Sequence, residues 1–288
     1  NPYRGCEHGC IYCYARPTHE YLGFSAGLDF ETKIMVKRNA AKLLEEAFRK
    51  KSWVPQSIMF SGNTDCYQPI ERKLGITREC LKVFLDFRNP VGVITKNALI
   101  QRDIDILKEL AELNLVNVVI SITTLKRDLS RKLEPRTSVP SKRIETVEKL
   151  SLAGIPTGVN VAPIIPGLND EEIPAILKAA SEAGAKTAGR VMLRLPYSVK
   201  ELFNEWLERN YPEKASKIIN RIRDIRGGEL SNHEFGTRMR GEGEYAKHIH
   251  DLFKAMCNKY GLNKEYTPKR IELFRRPAED KAQGELFG

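Results

Sequence analysis

The stretch RGCEHGCIYCYAR, residues 4–16, sets Cys6, Cys10 and Cys13 at C-x3-C-x2-C spacing, and the next cysteine is Cys66. Thiolates are soft ligands that select iron–sulfur clusters, zinc or copper(I). A structural zinc ion wants four protein ligands, usually in two separated pairs. Here the fourth would have to be His8, His19 or the distant Cys66. A cubane cluster on three cysteines leaves one iron without a protein ligand, which is useful where a substrate or cofactor binds. The remaining reading is three buried cysteines without metal, for which a polar, glycine-bearing loop is a poor setting.

Such a loop must be held by something rigid. The runs SIMFS (57–61), VGVIT (91–95), VNVVISI (116–122), GVNVAPI (158–164) and RVMLRL (190–195) read as buried parallel strands. Amphipathic stripes lie between them: Val36, Ala40, Leu43, Ala47 and Phe48; Ile104, Leu107 and Leu110; Ile144, Val147 and Leu150 after Ser141 as N-cap. Asp170 is placed to cap a helix carrying Ile173, Ile176 and Leu177, with Pro174 in its first turn. Strict alternation of strand and helix predicts a parallel sheet with right-handed crossovers.

With a first strand near residues 1–4 there are six units, which predicts an α/β fold, an open, partial (β/α)6 TIM-type barrel over residues 1–198. Working residues in such barrels sit at the C-terminal ends of strands. Cys6–Cys13, Ser61–Asp65, Thr95 with Lys96, Ser121–Thr124 and Pro163–Asp170 all fall there. Beyond about residue 198 the alternation stops. The stripes Leu202, Phe203, Trp206; Ile218, Ile219, Ile222, Ile225; and Ile249, Leu252, Phe253, Met256 predict a helical C-terminal cap over 199–274. The polar segment 275–288 reads as a mobile tail.

The 288 residues are 41% hydrophobic, enough for a sizeable core, and no apolar run is long enough to span a bilayer. Six cysteines with three crowded together do not read as an extracellular disulfide framework, so a reducing cytoplasm is expected, with no membrane partner. The first residue is Asn1, so an upstream segment is expected to be missing. The net charge of +10 favours an anionic partner such as nucleic acid, against the plainer reading of ordinary surface lysine.

The three-cysteine spacing, with aromatic Tyr12 just before Cys13 and a partial barrel behind it, resembles the radical S-adenosylmethionine superfamily. The resemblance implies a 4Fe-4S cluster on Cys6, Cys10 and Cys13. Its open iron is chelated by the methionine end of S-adenosylmethionine, whose reductive cleavage gives a 5′-deoxyadenosyl radical. It also implies an electron donor such as flavodoxin or ferredoxin. The family's polar segment after the second strand is matched by Ser61, Gly62, Asn63, Thr64 and Asp65 instead of Gly-Gly-Glu. Lys96 and Ser121 are placed to meet the cofactor carboxylate and ribose. For each, a plain turn residue or surface lysine is the bland alternative. PIIPGLND (163–170) corresponds to the segment bordering the adenine.

NTDCYQPIE (63–71), ITKNALIQRDIDIL (94–107), LEPR (133–136) and FGTRMRGEG (235–243) narrow the resemblance to the spore photoproduct lyase-related, DNA-repair-photolyase-like branch. This implies DNA as substrate and a lesion-lyase type of reaction; RNA or protein substrates and a non-catalytic cluster or zinc protein are the rivals. In the branch's lyases a hydrogen-donating thiol precedes a Ser/Thr-Asp pair. Here Asn63 holds that position and the thiol is Cys66, after Thr64 and Asp65, with Tyr67 as a candidate relay. An inert buried cysteine is the alternative. Lys126, Arg127, Arg131, Lys132, Arg136, Lys142 and Arg143 follow the fourth strand as a candidate nucleic-acid rim, joined by Arg238, Arg240, Arg275 and Arg276. A solvated helix face plus a buried Glu134–Arg136 pair would explain the same charges. Finally QGELF (283–287), with Gln283, Leu286 and Phe287, resembles the short peptide that docks bacterial repair proteins on the sliding clamp.

Overall fold

The computed structural model describes residues 1–231, 237–265 and 267–278. The first strand, β1 (Tyr3–Arg4), is not part of the main sheet: it pairs antiparallel with β2 (Met35–Val36). Between them lie the cysteine loop and the short helix α1 (Leu28–Thr32). The expected strand near residues 1–4 is therefore half of a two-stranded ribbon. Two residues carry no periodic signal from which that pairing could be read.

After α2 (Ala40–Arg49) comes the parallel sheet. It runs in sequence order through β3 (Ile58–Phe60), β4 (Val91–Thr95), β5 (Val116–Ser121), β6 (Thr157–Ile164) and β7 (Thr187–Met192). The helices α3 (Glu71–Leu74), α4 (Ile76–Asp86), α5 (Ile104–Glu112), α6 (Arg127–Leu133), α7 (Pro140–Leu152) and α8 (Ile173–Glu182) fill the crossovers. This open parallel sheet wrapped by helices is the partial barrel that the alternation predicted. Val91, Val93, Val116, Val118, Val159 and Val161 are buried along the strands and pack on Leu81, Phe84, Leu107, Leu110, Val147 and Ile176 of the helices. β7 begins three residues earlier than its apolar run suggested, and its register to β6 shifts between Val161 and Ile164.

Several local expectations shift. α7 starts with Pro140 at its first turn and Val139 at the cap, so Ser141 lies inside the helix. Val36 belongs to β2, while Leu43 faces solvent and Phe48 is the buried member of that stripe. Asp170 spends its carboxylate on the Gly167 amide and the Tyr245 hydroxyl.

The C-terminal helices α9 (Val199–Asn210), α10 (Pro212–Asp224) and α11 (Gly243–Lys259) divide their work. Phe203 and Leu207 of α9, with Ile218 and Ile222 of α10, share one core with Cys10, Tyr12, Leu133, Ile165 and Leu193. This second core sits at the mouth of the barrel and is separate from the main one. α11 instead joins the main core through Ala246, Ile249 and Phe253. The chain then returns to the opposite end of the sheet, where Phe274 meets Phe48 and Phe87.

Candidate active site

The cysteine loop is fastened from several sides. Gly5 and Gly9 take left-handed φ values of 81° and 68°, where other residues are strained. A Cβ on Gly9 would lie 2.5 Å from the Arg136 guanidinium, and one on Gly5 would lie 2.9 Å from the His19 ring. Buried Arg16 donates to the carbonyls of Cys10, Ala26 and Gly27 at 3.0 Å each and to Glu31 at 2.5 Å. Arg136 bridges the Glu7 carbonyl and the other oxygen of Glu31. Gln68 closes the loop by donating to Gly5 and accepting from the Glu7 amide. The loop backbone is thus satisfied by these side chains together with backbone partners, the Phe30 and Leu133 carbonyls and the Arg136 amide.

The thiols sit close enough to act on one another. Burial pushes the Cys6 thiol up, reinforced by the charges of Asp65, Cys10 and Cys13; burial pushes Cys10 up to about 12, opposed by Lys96. Among the described residues no three His, Cys, Asp or Glu side chains converge on a point where one metal ion could be held.

Strand ends converge on the loop. Asp65, after β3, accepts from Thr95 Oγ1 at 2.8 Å and from the Lys96 amide at 2.8 Å, and lies 3.5 Å from His8 Nδ1. His8 also meets Asn97 at 3.1 Å, and burial lowers its pKa. The Lys96 ammonium lies 5.9 Å from the Tyr12 ring and pairs with no carboxylate among the described residues. The Tyr12 hydroxyl donates to Glu134, which also accepts from Thr123 and is paired with the buried Arg143. Burial pushes the Glu134 carboxyl up, but Arg143 and Lys96 outweigh it and hold it well below the usual carboxylate range. Tyr14 reaches across the mouth to donate to the Gly62 carbonyl at 2.5 Å, with Arg194 over its ring at 5.4 Å. Asn169 holds the β6 loop, donating to Thr123 and Pro163 and accepting from the Ile165 amide.

The model of the Radical SAM superfamily matches residues 1–180 of this chain. The chain belongs to that superfamily. An uncharacterized protein of Mycobacterium tuberculosis H37Rv is 35% identical over 227 residues, covering 78% of this chain and 66% of its own length. The chain thus spans just under two thirds of the mycobacterial relatives it matches. An uncharacterized Methanocaldococcus jannaschii protein is 29% identical over 77% of this chain and 79% of its own. Among solved structures, spore photoproduct lyase complexed with dinucleoside spore photoproduct superposes with a TM-score of 0.64 at 16% identity. That match covers 90% of this chain and 73% of the lyase. The fold is similar to that of the lyase.

Membership implies S-adenosylmethionine and an iron–sulfur cluster as cofactors. The residues fit that pair: three thiols at one mouth, an ammonium without a carboxylate beside them, and an apolar wall of Tyr12, Ile165 and Leu193. Ser61, Gly62 and Asn63 lie at the mouth; Ser61 has φ 87° and its hydroxyl accepts from the Cys66 amide. Ser121 ends β5 and is buried, its carbonyl taken by Arg143. Thr64 is turned to the N-terminus, where its hydroxyl donates to the Tyr3 carbonyl and accepts from Asn1. Asp65 is occupied by Thr95 and Lys96 and orders the mouth from behind.

Other expectations are corrected. Cys66 is fully buried with Asp65, Ser61 and Glu71 beside its thiol, and Tyr67 donates to Asp103 at 3.0 Å, within a set completed by Arg78 and Arg102. Both side chains are fully buried, and the Tyr67 hydroxyl that a relay would need is spent on Asp103. Arg143 is 1% exposed and is no part of a rim: it, and not Arg136, is the partner of Glu134. Arg275 and Arg276 bond the Asp86, Phe48 and Lys50 carbonyls at the opposite end of the sheet, away from the mouth. Lys126, Arg127, Arg131, Lys132, Arg136 and Lys142 stay exposed, although Lys126 pairs with Glu171 and Lys142 with Glu145. Gln283, Leu286 and Phe287 lie outside the described residues.

Arg16, Glu31, Gln68, Tyr14 and Arg194 were not foreseen, and His8, weighed as a metal ligand, instead meets Asp65 and Asn97. Only Arg16 carried a signal: an arginine directly after a loop whose carbonyls need donors.

Proposed function

We propose that Cys6, Cys10 and Cys13 hold a 4Fe-4S cluster and that the enzyme acts on DNA, in a reaction of the lesion-lyase type. The observation that carries the first part is the loop itself, three mutually interacting thiols pinned by Arg16, Arg136 and Gln68 with the Lys96 ammonium beside them. When bound, the cluster and S-adenosylmethionine supply a radical able to take hydrogen from a C–H bond. The protein's own share is positioning and shielding. Lys96 takes the methionine carboxylate as a point charge, Ser61, Gly62 and Asn63 supply polar groups for the ammonium, and Ser121 serves the ribose. Tyr12, Ile165 and Leu193 exclude water behind them.

DNA is supported by the exposed cations of α6 on the catalytic side of the sheet and by the similarity in fold to a lyase solved with a dinucleoside photoproduct. The burial of Cys66 favours a reaction whose last hydrogen does not come from that thiol. The same burial keeps a second reading alive, radical modification of RNA, in which no thiol hydrogen return is needed. The electron donor is proposed to be a flavodoxin or ferredoxin in the cytoplasm. The QGELF peptide is proposed to dock on the sliding clamp, and deletion of residues 283–288 should abolish clamp binding.

The test is anaerobic. With cluster reconstituted and dithionite as reductant, 5′-deoxyadenosine is quantified with no nucleic acid, intact DNA, UV-irradiated DNA and RNA. Stimulation by irradiated DNA is expected; stimulation by RNA alone would replace the substrate.

A further inference from the structure

Outside the mouth, a cleft of about 490 Å³ opens between the β6–α8 loop, α10 and α11. Gly167, Asp170 and Glu171 form one wall, Lys214, Lys217 and Arg221 the second, and Tyr245, His248, Ile249 and Leu252 the third. Its charges do not cancel. Glu171 is paired with Lys126 at 2.6 Å, and Asp170 is engaged by the Gly167 amide and the Tyr245 hydroxyl. Lys214, Lys217 and Arg221 have no carboxylate within salt-bridge distance among the described residues.

Arg221 is built in rather than loose. It stacks 5.1 Å from the Tyr245 ring centroid, and Gly167 leaves it room, since a Cβ there would lie 3.0 Å from Nη1. Three fixed or nearby cations above an apolar floor of Ile249 and Leu252 suit an anion that carries a hydrophobic body. A nucleotide unit has that character, and bare phosphate lacks it.

The cleft also continues the α6 rim. Lys126 touches its Glu171 wall, and Lys132 lies 4.7 Å from the ring of Tyr211, which precedes α10. We propose that this cleft is a second phosphodiester-binding subsite, which holds the backbone of a nucleic-acid strand whose reacting base is at the mouth. The inference rests on the nucleic-acid reading above and adds where the strand runs.

The experiment measures binding of a labelled single-stranded oligonucleotide to the cluster-loaded protein over a salt series. Lys214→Gln/Lys217→Gln removes two exposed charges; thermal unfolding and cluster absorbance serve as folding controls. On a single strand each lost phosphate contact lowers the slope of log K against log salt by about 0.7, so the double variant should lose about 1.4, whatever the base sequence. Arg221→Lys, which keeps the charge but not the stacked plane, should weaken affinity with little change in slope. An unchanged slope in the double variant, with wild type still binding, overturns the subsite alone. A wild type that binds no strand overturns the nucleic-acid reading and the subsite with it. If inorganic phosphate competes as well as a mononucleotide does, the cleft is a simple anion site and the proposal fails.

Discussion

Cys6 and Cys66 both feel the charge of Asp65, and burial raises both thiols. Their surroundings then part company. Cys6 stands in a loop whose carbonyls are taken by Arg16 and Gln68, with Cys10 and Cys13 within electrostatic reach and the Lys96 ammonium near those two. Cys66 is fully buried, with Asp65, Ser61 and Glu71 beside it and its backbone tied to Ser61 and Thr77. Reactivity therefore follows what frames the sulfur. A ligand thiol needs an opening and donors that fix its loop, whereas an apolar enclosure makes a thiol a core residue.

That contrast can be broken most forcefully at Arg16. Arg16→Ala removes four hydrogen bonds, including the one that ties the Cys10 carbonyl of the loop to the 26–31 segment, and leaves Glu31 with Arg136 alone, at a cost on the order of 3–5 kcal/mol. Denaturant unfolding should show the loss, and iron uptake should fall with it.

Glu134 comes next, because it lies beneath Tyr12 and is paired with Arg143. Its carboxyl is lowered in the folded protein, to about 2 from an unfolded 4.5. The associated stability is present above pH 4.5 and is lost as the pH falls towards 2, a change on the order of a few kcal/mol. Unfolding followed across this window should slope steeply in wild type and much less in Glu134→Gln.

Lys96→Ala should weaken S-adenosylmethionine binding about tenfold with little change in thermal stability. Isothermal titration of the cluster-loaded protein checks it, and equal affinity would remove Lys96 from the site. The smallest effect is expected at Tyr67. Tyr67→Phe loses one hydrogen bond to Asp103, about 1 kcal/mol, and should leave cofactor cleavage unaltered because that hydroxyl is spent inside the core.

The same contrast explains what the sequence could reveal. The C-x3-C-x2-C spacing and the apolar strand runs are local signals, and both the loop and the parallel sheet were legible from them. Partner choice was not. Arg136 and Arg143 stand seven residues apart in one basic stretch, and only the turn of α7 brings Arg143 to Glu134 while Arg136 reaches Glu7 and Glu31. The side to which Cys66 points depends on the path of an irregular segment in which Ser61 adopts positive φ, a conformation no residue type there announces. Tyr3 and Arg4 form too short a strand for any period to show its partner. Arg275 and Arg276 look like further rim cations until the chain's return to Phe48 and Asp86 is traced.

The most direct measurement is 5′-deoxyadenosine yield from reconstituted wild type, Cys10→Ala and Cys66→Ser, run side by side with iron and sulfide content. Cys10→Ala should lose the intact cluster and all cleavage. Cys66→Ser should keep both at the wild-type level. A Cys66→Ser protein that retains its cluster but yields no 5′-deoxyadenosine, or a Cys10→Ala protein that cleaves normally, would contradict the division of labour between the two regions.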